Sequence, residues 1–214
     1  MGIKDKKTCA VCGDKAGIFT RIKLNDGLLC GDCVKKCSEH LEDFDEKTAE
    51  EIKAHLTYRE RNKHSSMLSY FSPTLSLGDY EVLKIDEKNK YWLVTTPKRF
   101  AEENPDVFYL SQITGCEVIE KRELLTPEQS AEFKASPPKA TTKIKQKITR
   151  SAQKPPEYGY WFYVRISVRH PWFSEIVIRL NKYIIREQNQ TEFLSCERLS
   201  SLIVNTLNEL SDSE

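Results

Sequence analysis

The stretch CAVCGDKAGIFTRIKLNDGLLCGDC, residues 9–33, decides the fold of the N-terminal region. It holds two pairs of cysteines, Cys9 with Cys12 and Cys30 with Cys33, separated by seventeen residues. Zinc prefers four soft ligands at the corners of a tetrahedron, and two C-x2-C turns can present four thiolates to one ion. The spacing therefore predicts one structural zinc ion held by these four cysteines.

The residues between the two pairs predict a β-hairpin. Residues 18–24 and 28–29 are apolar enough to form two short strands, and Asn25-Asp-Gly27 is a typical turn sequence. Gly13 suits the tight turn after the first pair, and a short helix is expected to begin at Asp32. We therefore expect a treble-clef-like or ribbon-like finger, too small to fold without its metal.

Other roles for these cysteines are less favoured. A set of free thiols would not need this spacing, and no thioredoxin-like strand and helix surround either pair. A catalytic zinc usually has three protein ligands and an open position, whereas four thiolates close the site. Cys37 or His40 could replace a ligand, but a spare thiol and a surface histidine are the favoured interpretation.

Composition limits the classes of function. The chain has 33 basic and 32 acidic residues, and a net charge of +1 argues against a surface built entirely for nucleic acid. Five of the 7 cysteines lie within residues 9–37, which is typical of metal binding in a reducing compartment. No long apolar run is present, and no apolar stretch follows the first basic residues. A cytoplasmic protein without a secretory leader is expected.

The pattern along the chain predicts an α+β protein in three segments. Residues 1–40 form the finger, residues 41–66 a charged connecting helix, and residues 67–214 a β-rich domain. Thr48 and Glu51 are spaced as a capping box at the start of the connecting helix, which we expect on a surface or between domains. Alternation of apolar and polar side chains and short apolar runs predict strands at 80–85, 91–96, 107–110, 115–119, 158–168 and 175–180.

A C-terminal amphipathic helix follows these strands, with Leu199, Leu202, Ile203, Leu207 and Leu210 on one stripe. Strands followed by one helix have the element order of a pleckstrin-homology-like barrel. Such barrels bind peptides, proteins or lipid headgroups, although a fold alone does not fix a function. The alternative is an antiparallel sheet with the helix packed across one face.

Residues 134–156 form a basic, proline-containing insert with seven Lys and Arg residues and no acidic one. Lys143, Lys145, Lys147 and Arg150 are its candidate anion-binding residues, for nucleic acid or an anionic membrane surface. A flexible, solvated connection is an equally good interpretation. The insert has no aromatic residue to stack on bases, which argues against single-strand binding.

Several short motifs together resemble a known family. They are Cys9-x-x-Cys-Gly13, Lys23-Leu-x-Asp-Gly27, Cys30-x-Asp-Cys33, Glu51-Ile-Lys53, Tyr58-Arg-Glu60, Glu103-Asn-Pro-Asp-Val107, Ile113-Thr-Gly-Cys116 and His170-Pro-Trp-Phe173. The chain is similar in these to a bacterial family of uncharacterised proteins, catalogued as a domain of unknown function. The resemblance implies a cytoplasmic bacterial protein with an N-terminal zinc finger and a C-terminal β-rich domain, and it supplies no catalytic residue.

The remaining candidates for chemistry have simpler structural explanations. No hydrolase, phosphate-binding or dinucleotide-binding motif is present. Cys116 and Cys196 are expected to be buried small side chains, His170 to stabilise a turn, and Asn104-Pro-Asp106 to form one. We therefore expect a non-enzymatic adaptor that binds a protein or peptide. The alternatives are a nucleic-acid-associated regulator, anionic-lipid binding through the β domain and, less favoured, an enzyme.

Overall fold

A computed structural model describes residues 8–96, 104–125 and 157–211 of the chain. The N-terminal part contains a two-stranded antiparallel hairpin, in which β1 (Ile22–Lys23) pairs with β2 (Leu28–Leu29). Three helices follow: α1 (Gly31–Val34), α2 (Ala49–Lys63) and α3 (Ser66–Tyr70). The predicted hairpin is confirmed, but its first strand covers only two residues, because residues 17–20 form a turn.

The first sheet of the β-rich part is an antiparallel meander. Its strands are β3 (Leu75–Leu77), β4 (Val82–Asp86), β5 (Tyr91–Thr95) and β6 (Phe108–Tyr109), and each pairs with the next. A 3₁₀ turn at Leu110–Gln112 follows β6, so the strand expected at 107–110 ends early.

The second sheet is built around one long strand, β8 (Tyr158–Val168), whose alternating pattern predicted it. β7 (Ile113–Leu124) pairs along one edge of β8. The other edge is shared by β9 (Glu175–Arg179) and β10 (Ile185–Arg186). Helix α4 (Gln190–Ser211) then packs on β7 and β8.

The apolar core lies between the two sheets and α4. Trp92 from the first sheet, Phe162 and Ile166 from the second, and Ile203 and Leu207 from α4 belong to one buried cluster. The predicted stripe on the C-terminal helix is therefore confirmed at Ile203 and Leu207, which are fully buried, but not at Leu202, which is exposed. Burial of such large side chains supplies most of the stabilisation of this part of the chain.

These observations confirm a mixed α+β protein with antiparallel sheets. Among the described residues neither sheet closes into a barrel, so the pleckstrin-homology-like barrel is not confirmed. The sequence analysis also missed α3, β3 and β10, which are too short for a clear periodic pattern.

Helix α2 is more than a charged connection. Its capping box forms as predicted, with the Thr48 N–H donating to Glu51 Oε2 at 2.7 Å. One stripe of the helix is buried, however, and three of its members are polar: His55, Arg59 and Asn62. Because the stripe is polar, the sequence pattern indicated a surface helix where the structure has a partly buried one.

A buried carboxylate joins the finger, α2 and the β-rich part. Asp106 Oδ1 accepts hydrogen bonds from Arg59 Nη1 at 2.7 Å and from the Tyr58 hydroxyl at 3.0 Å. Asp106 Oδ2 accepts one from the Ser38 hydroxyl at 2.6 Å. Asn62 Nδ2 also donates to the carbonyl of Pro105 at 2.8 Å. The residues 104–106, expected to be a simple turn, therefore hold the parts together.

An aromatic group surrounds this network. The His170 and Phe173 rings stack at 4.8 Å between centroids, and Tyr58 packs against both. His55 lies edge-on to Trp172, and its Nε2 accepts the Ser38 N–H at 3.1 Å. Burial lowers the pKa of His55 to about 4, so the ring is neutral in the folded protein.

Replacing Asp106 with Asn should destabilise the protein strongly. The change removes the negative charge that the buried Arg59 faces, and breaking a buried ion pair in this way typically costs about 3–5 kcal/mol. Urea denaturation followed by far-UV circular dichroism measures the free energy of unfolding. Glu60→Gln is the control, because Glu60 pairs with His64 on the exposed surface and should leave stability almost unchanged. Equal effects of the two changes would contradict the role given to Asp106.

The stability of the protein should decrease as the pH is lowered, because His55 is buried in its neutral form. The folded pKa of about 4 lies below the ordinary value of 6.5, so the unfolded chain takes up a proton first. The contribution is present above pH 6.5 and is lost as the pH falls toward 4, by an amount on the order of 3 kcal/mol. In His55→Gln this part of the pH dependence should disappear, whereas exposed His64→Gln should keep it. Urea titrations at several pH values measure how the free energy of unfolding depends on pH. If this dependence is the same in His55→Gln and in the wild type, the assignment to His55 is wrong.

Candidate metal centre

The first cysteine pair lies in a tight backbone turn. The Cys9 N–H donates to the carbonyl of Asp14 at 2.7 Å, and the Gly13 N–H donates back to the carbonyl of Cys9 at 2.9 Å. Gly13 has φ +83°, a conformation that favours glycine. The turn therefore holds Cys9 and Cys12 on the same side of the chain, as the spacing predicts.

The hairpin and α1 bring the second pair to the first. The Ala10 N–H donates to the carbonyl of Leu28 at 2.8 Å, which ties the first turn to β2. Cys30 precedes α1 directly and Cys33 lies within this helix. The Cys30 N–H donates to Cys9 Sγ at 3.3 Å, so one backbone hydrogen bond already links the two pairs.

The four sulfur atoms form a compact cluster. All four Sγ atoms lie within 4.8 Å of one another, with Cys9–Cys33 at 3.9 Å and Cys12–Cys30 at 3.6 Å. A tetrahedron with zinc–sulfur distances of about 2.3 Å has edges of about 3.8 Å. A disulfide would need sulfur atoms about 2.05 Å apart. The cluster thus fits a thiolate-bound metal ion, and the thiols are free rather than paired.

The four thiols of the cluster influence one another: the pKa of Cys9 is lowered, whereas burial and hydrogen bonds from neighbouring thiols raise the pKa values of Cys12 and Cys33. Burial raises the pKa of Cys9, but backbone N–H groups of Cys12, Cys30 and Val11 outweigh burial and bring the pKa to about 6. N–H groups directed at a sulfur atom stabilise the thiolate, which is the ligand form. Four thiolates would fill a tetrahedral site and leave no open position for a substrate.

Neither alternative ligand joins the cluster. Cys37 is buried, and its Sγ donates to the carbonyl of Cys33 at 3.4 Å. Burial raises the pKa of Cys37 to about 11. The ring of His40 packs edge-on to Phe173 and is half-buried, although a surface histidine was expected. In the described part of the chain only the four predicted cysteines form such a group.

The other candidate residues are not brought to this site. Cys116 and Cys196 are half-buried rather than fully buried, and burial raises the pKa of both thiols. Lys143, Lys145, Lys147 and Arg150 lie outside the described residues, so their anion-binding role stays a prediction. The network around Asp106 was missed, because it joins residues far apart in sequence and polar patterns give no signal for such contacts.

Together these features define a small four-cysteine metal-binding region joined to an antiparallel β-rich part. The family described as Domain of unknown function (DUF4428) matches residues 8–55, which cover the cysteine cluster and the first half of α2. No curated protein and no solved structure matches the chain. The match fits the expected resemblance to an uncharacterised family with an N-terminal metal site, whereas bacterial origin and the C-terminal domain stay predictions.

The described helices differ from membrane-spanning helices in their length or polarity. Among residues 8–96, 104–125 and 157–211, every helix is too short or too polar to cross a membrane.

Removing one ligand should abolish metal binding. Cys30→Ser replaces a soft thiolate by a hydroxyl, so the purified protein should lose its metal equivalent, measured by elemental analysis. Cys37→Ser is the matched control, because Cys37 is also buried in the finger but lies outside the cluster. Full metal content in Cys30→Ser, or a metal-free wild type purified without chelator, would contradict the assignment.

Proposed function

We propose that this chain is a non-enzymatic binding protein of the cytoplasm, whose one structural zinc ion shapes a surface for a protein or peptide partner. The observation that carries the proposal is a cleft between the segment after the finger and the β-rich part. Its volume is about 310 Å³, enough for one long side chain of a partner.

The cleft has two walls of different origin. One wall is the chain that leaves the finger, from Glu39 to Lys47, and the other comes from Glu81, the end of β5 and the segment 172–177. Two hydrogen bonds tie the finger side in place: Ala49 N–H to Asp26 Oδ1 at 2.8 Å, and Asn25 N–H to the carbonyl of Lys47 at 2.9 Å. Because these contacts start in the hairpin, the shape of the cleft depends on a folded finger.

Acidic side chains dominate the lining of the cleft. Five carboxylates and one lysine line it, and one of the carboxylates, Glu175, also pairs with Arg165 at 3.2 Å. Burial lowers the pKa of His40, the histidine in the lining, which favours its neutral form. Burial also raises the pKa of Glu81, although the N–H of Arg179 donates to its Oε2 at 2.6 Å. A cation placed beside this carboxylate would offset its desolvation. The acidic residues are Glu39, Glu42, Asp43, Glu81 and Glu175.

Aromatic side chains complete the site. Trp172 and Phe173 line the same cleft and are held by the aromatic group around Tyr58. Carboxylates beside aromatic rings suit a Lys or Arg side chain, because the rings attract a cation and pack against its aliphatic stem. We therefore infer a protein or peptide partner that inserts a basic side chain.

The β-rich part supports this proposal through its element order. A four-stranded meander, a second antiparallel sheet and a C-terminal helix follow one another as in pleckstrin-homology-like domains. We propose that relationship for residues 67–214, and such domains commonly bind peptides through surfaces beside their sheets. The nucleic-acid alternative would use the zinc finger together with the insert 134–156, which lies outside the described residues.

Binding should depend on charge in the cleft. Heptapeptide libraries with a fixed central Lys, Arg, Glu or norleucine can be compared by fluorescence anisotropy on the full chain. The Lys and Arg libraries should bind best. The double variant Glu81→Gln, Glu175→Gln should bind these two libraries about tenfold more weakly, because it lacks two carboxylates of the cleft. Glu50→Gln, on the exposed start of α2, is the control. Affinity should also fall as acid protonates Glu81, whose pKa is raised by burial.

Equal binding of the Glu and Lys libraries would contradict the proposed recognition. So would an unchanged affinity in the double variant, provided that its metal content and circular dichroism match the wild type.

A further inference from the structure

The finger carries an exposed apolar tip, formed by Ile18 and Phe19. The Thr20 N–H donates to the carbonyl of Gly17 at 3.3 Å, and the Arg21 N–H donates to the same carbonyl at 3.1 Å. These bonds close a turn whose two central residues are Ile18 and Phe19. Ile18 is 73% exposed and Phe19 is 100% exposed.

This arrangement is unusual for a turn. Central turn positions are normally filled by Gly, Pro, Asn, Asp or Ser, which interact well with water. A fully exposed phenylalanine beside an exposed isoleucine places a continuous apolar protrusion in solvent. The sequence predicted these residues in a strand of the hairpin, so their position at a tip is a finding of the structure.

The tip is held firmly by the finger. Ala16, directly before the turn, is buried with 2% exposure. Thr20 packs so closely on Gly31 that a Cβ atom at Gly31 would lie 2.8 Å from Thr20 Cβ. Gly31 follows the ligand Cys30 and opens α1, so the turn is braced against the metal-binding end of the finger. A firmly held protrusion loses little conformational entropy when it is buried.

Cationic side chains flank the tip. Lys15, Arg21 and Lys23 are exposed, and none of them has an ion-pair partner in the described part of the chain. Of the nearby acids, Asp32 pairs with Lys35 at 3.3 Å. Asp14 is exposed beside Lys15 and offsets part of this positive charge.

We propose that Ile18 and Phe19 insert into the interface of an anionic lipid bilayer, with Lys15, Arg21 and Lys23 among the headgroups. A bilayer interface accepts a convex apolar tip to a depth of about 5–10 Å without a preformed pocket. A stable protein partner would need about 800 Å² of complementary surface, which two protruding side chains do not offer. Anionic headgroups complement the flanking cations. The proposal is independent of the acidic cleft.

Sedimentation with vesicles tests this inference on the full-length, metal-loaded chain. The wild type should sediment with vesicles of phosphatidylcholine and phosphatidylserine, and much less with phosphatidylcholine alone. Phe19→Ser should weaken the vesicle partition about tenfold or more, because it removes the largest inserted side chain. Tyr70→Ser is the matched control, since Tyr70 is also 73% exposed and lies in α3, away from the finger turn.

A second readout places the tip within the membrane. In Phe19→Trp, anionic vesicles should shift the added tryptophan emission to the blue, and brominated lipid should quench it. Arg21→Gln should weaken binding to anionic vesicles without changing the weak binding to neutral ones. Metal content confirms that each variant keeps its finger.

Two results would overturn the proposal. A wild-type protein that does not sediment with anionic vesicles excludes membrane insertion. Binding that is unchanged in Phe19→Ser excludes the tip and assigns the interaction to another surface, such as the basic insert at 134–156.

Discussion

The buried carboxylate of Asp106 is the constraint on which the arrangement of the parts depends. A charge removed from water is tolerated only when other groups replace its hydration. Asp106 obtains these groups from the end of the finger (Ser38) and from α2 (Tyr58 and Arg59). The hydrogen bonds that replace the hydration of Asp106 therefore form only when the finger, α2 and the β-rich part keep one arrangement.

The neutral state of His55 belongs to the same arrangement. Its Nε2 accepts the backbone N–H of Ser38, the residue whose hydroxyl donates to Asp106. Burial among Tyr58, Trp172 and Phe173 keeps the ring uncharged, and its buried Nδ1 has no hydrogen-bond partner among the described residues. Protonation would place a second positive charge near Arg59. The polar network and the aromatic group thus stabilise each other, and acid disturbs both.

The sequence allowed prediction of the features that are local. The capping box of Thr48 and Glu51 and the alternating strand β8 each depend on residues a few positions apart. The four cysteines span 24 positions, but their paired spacing is itself a recognisable signal. The Asp106 network could not be predicted, because Ser38 and Asp106 lie 68 positions apart and pair only after folding.

The errors of the sequence analysis follow from the same limit. The apolar character of Ile18 and Phe19 placed them in a strand of the hairpin, yet the structure has them in a turn. The polar stripe of α2 resembled a solvated surface, because pattern alone does not show whether His55 and Arg59 find partners. Where a polar residue is buried or an apolar one exposed, the sequence pattern indicates the wrong environment, and one such position, the apolar tip, is also a candidate functional surface.

The metal site and the Asp106 network act on the two candidate surfaces to different extents. The apolar tip follows the first cysteine pair and rests on Gly31, so it depends on the metal but has no described contact with Asp106. The cleft needs both, because one wall follows the second cysteine pair and the other belongs to the β-rich part. Loss of metal should therefore disable both surfaces, whereas loss of the Asp106 charge should open the cleft and leave the tip intact. The two surfaces should therefore respond differently to the loss of the Asp106 charge, although both depend on the same finger.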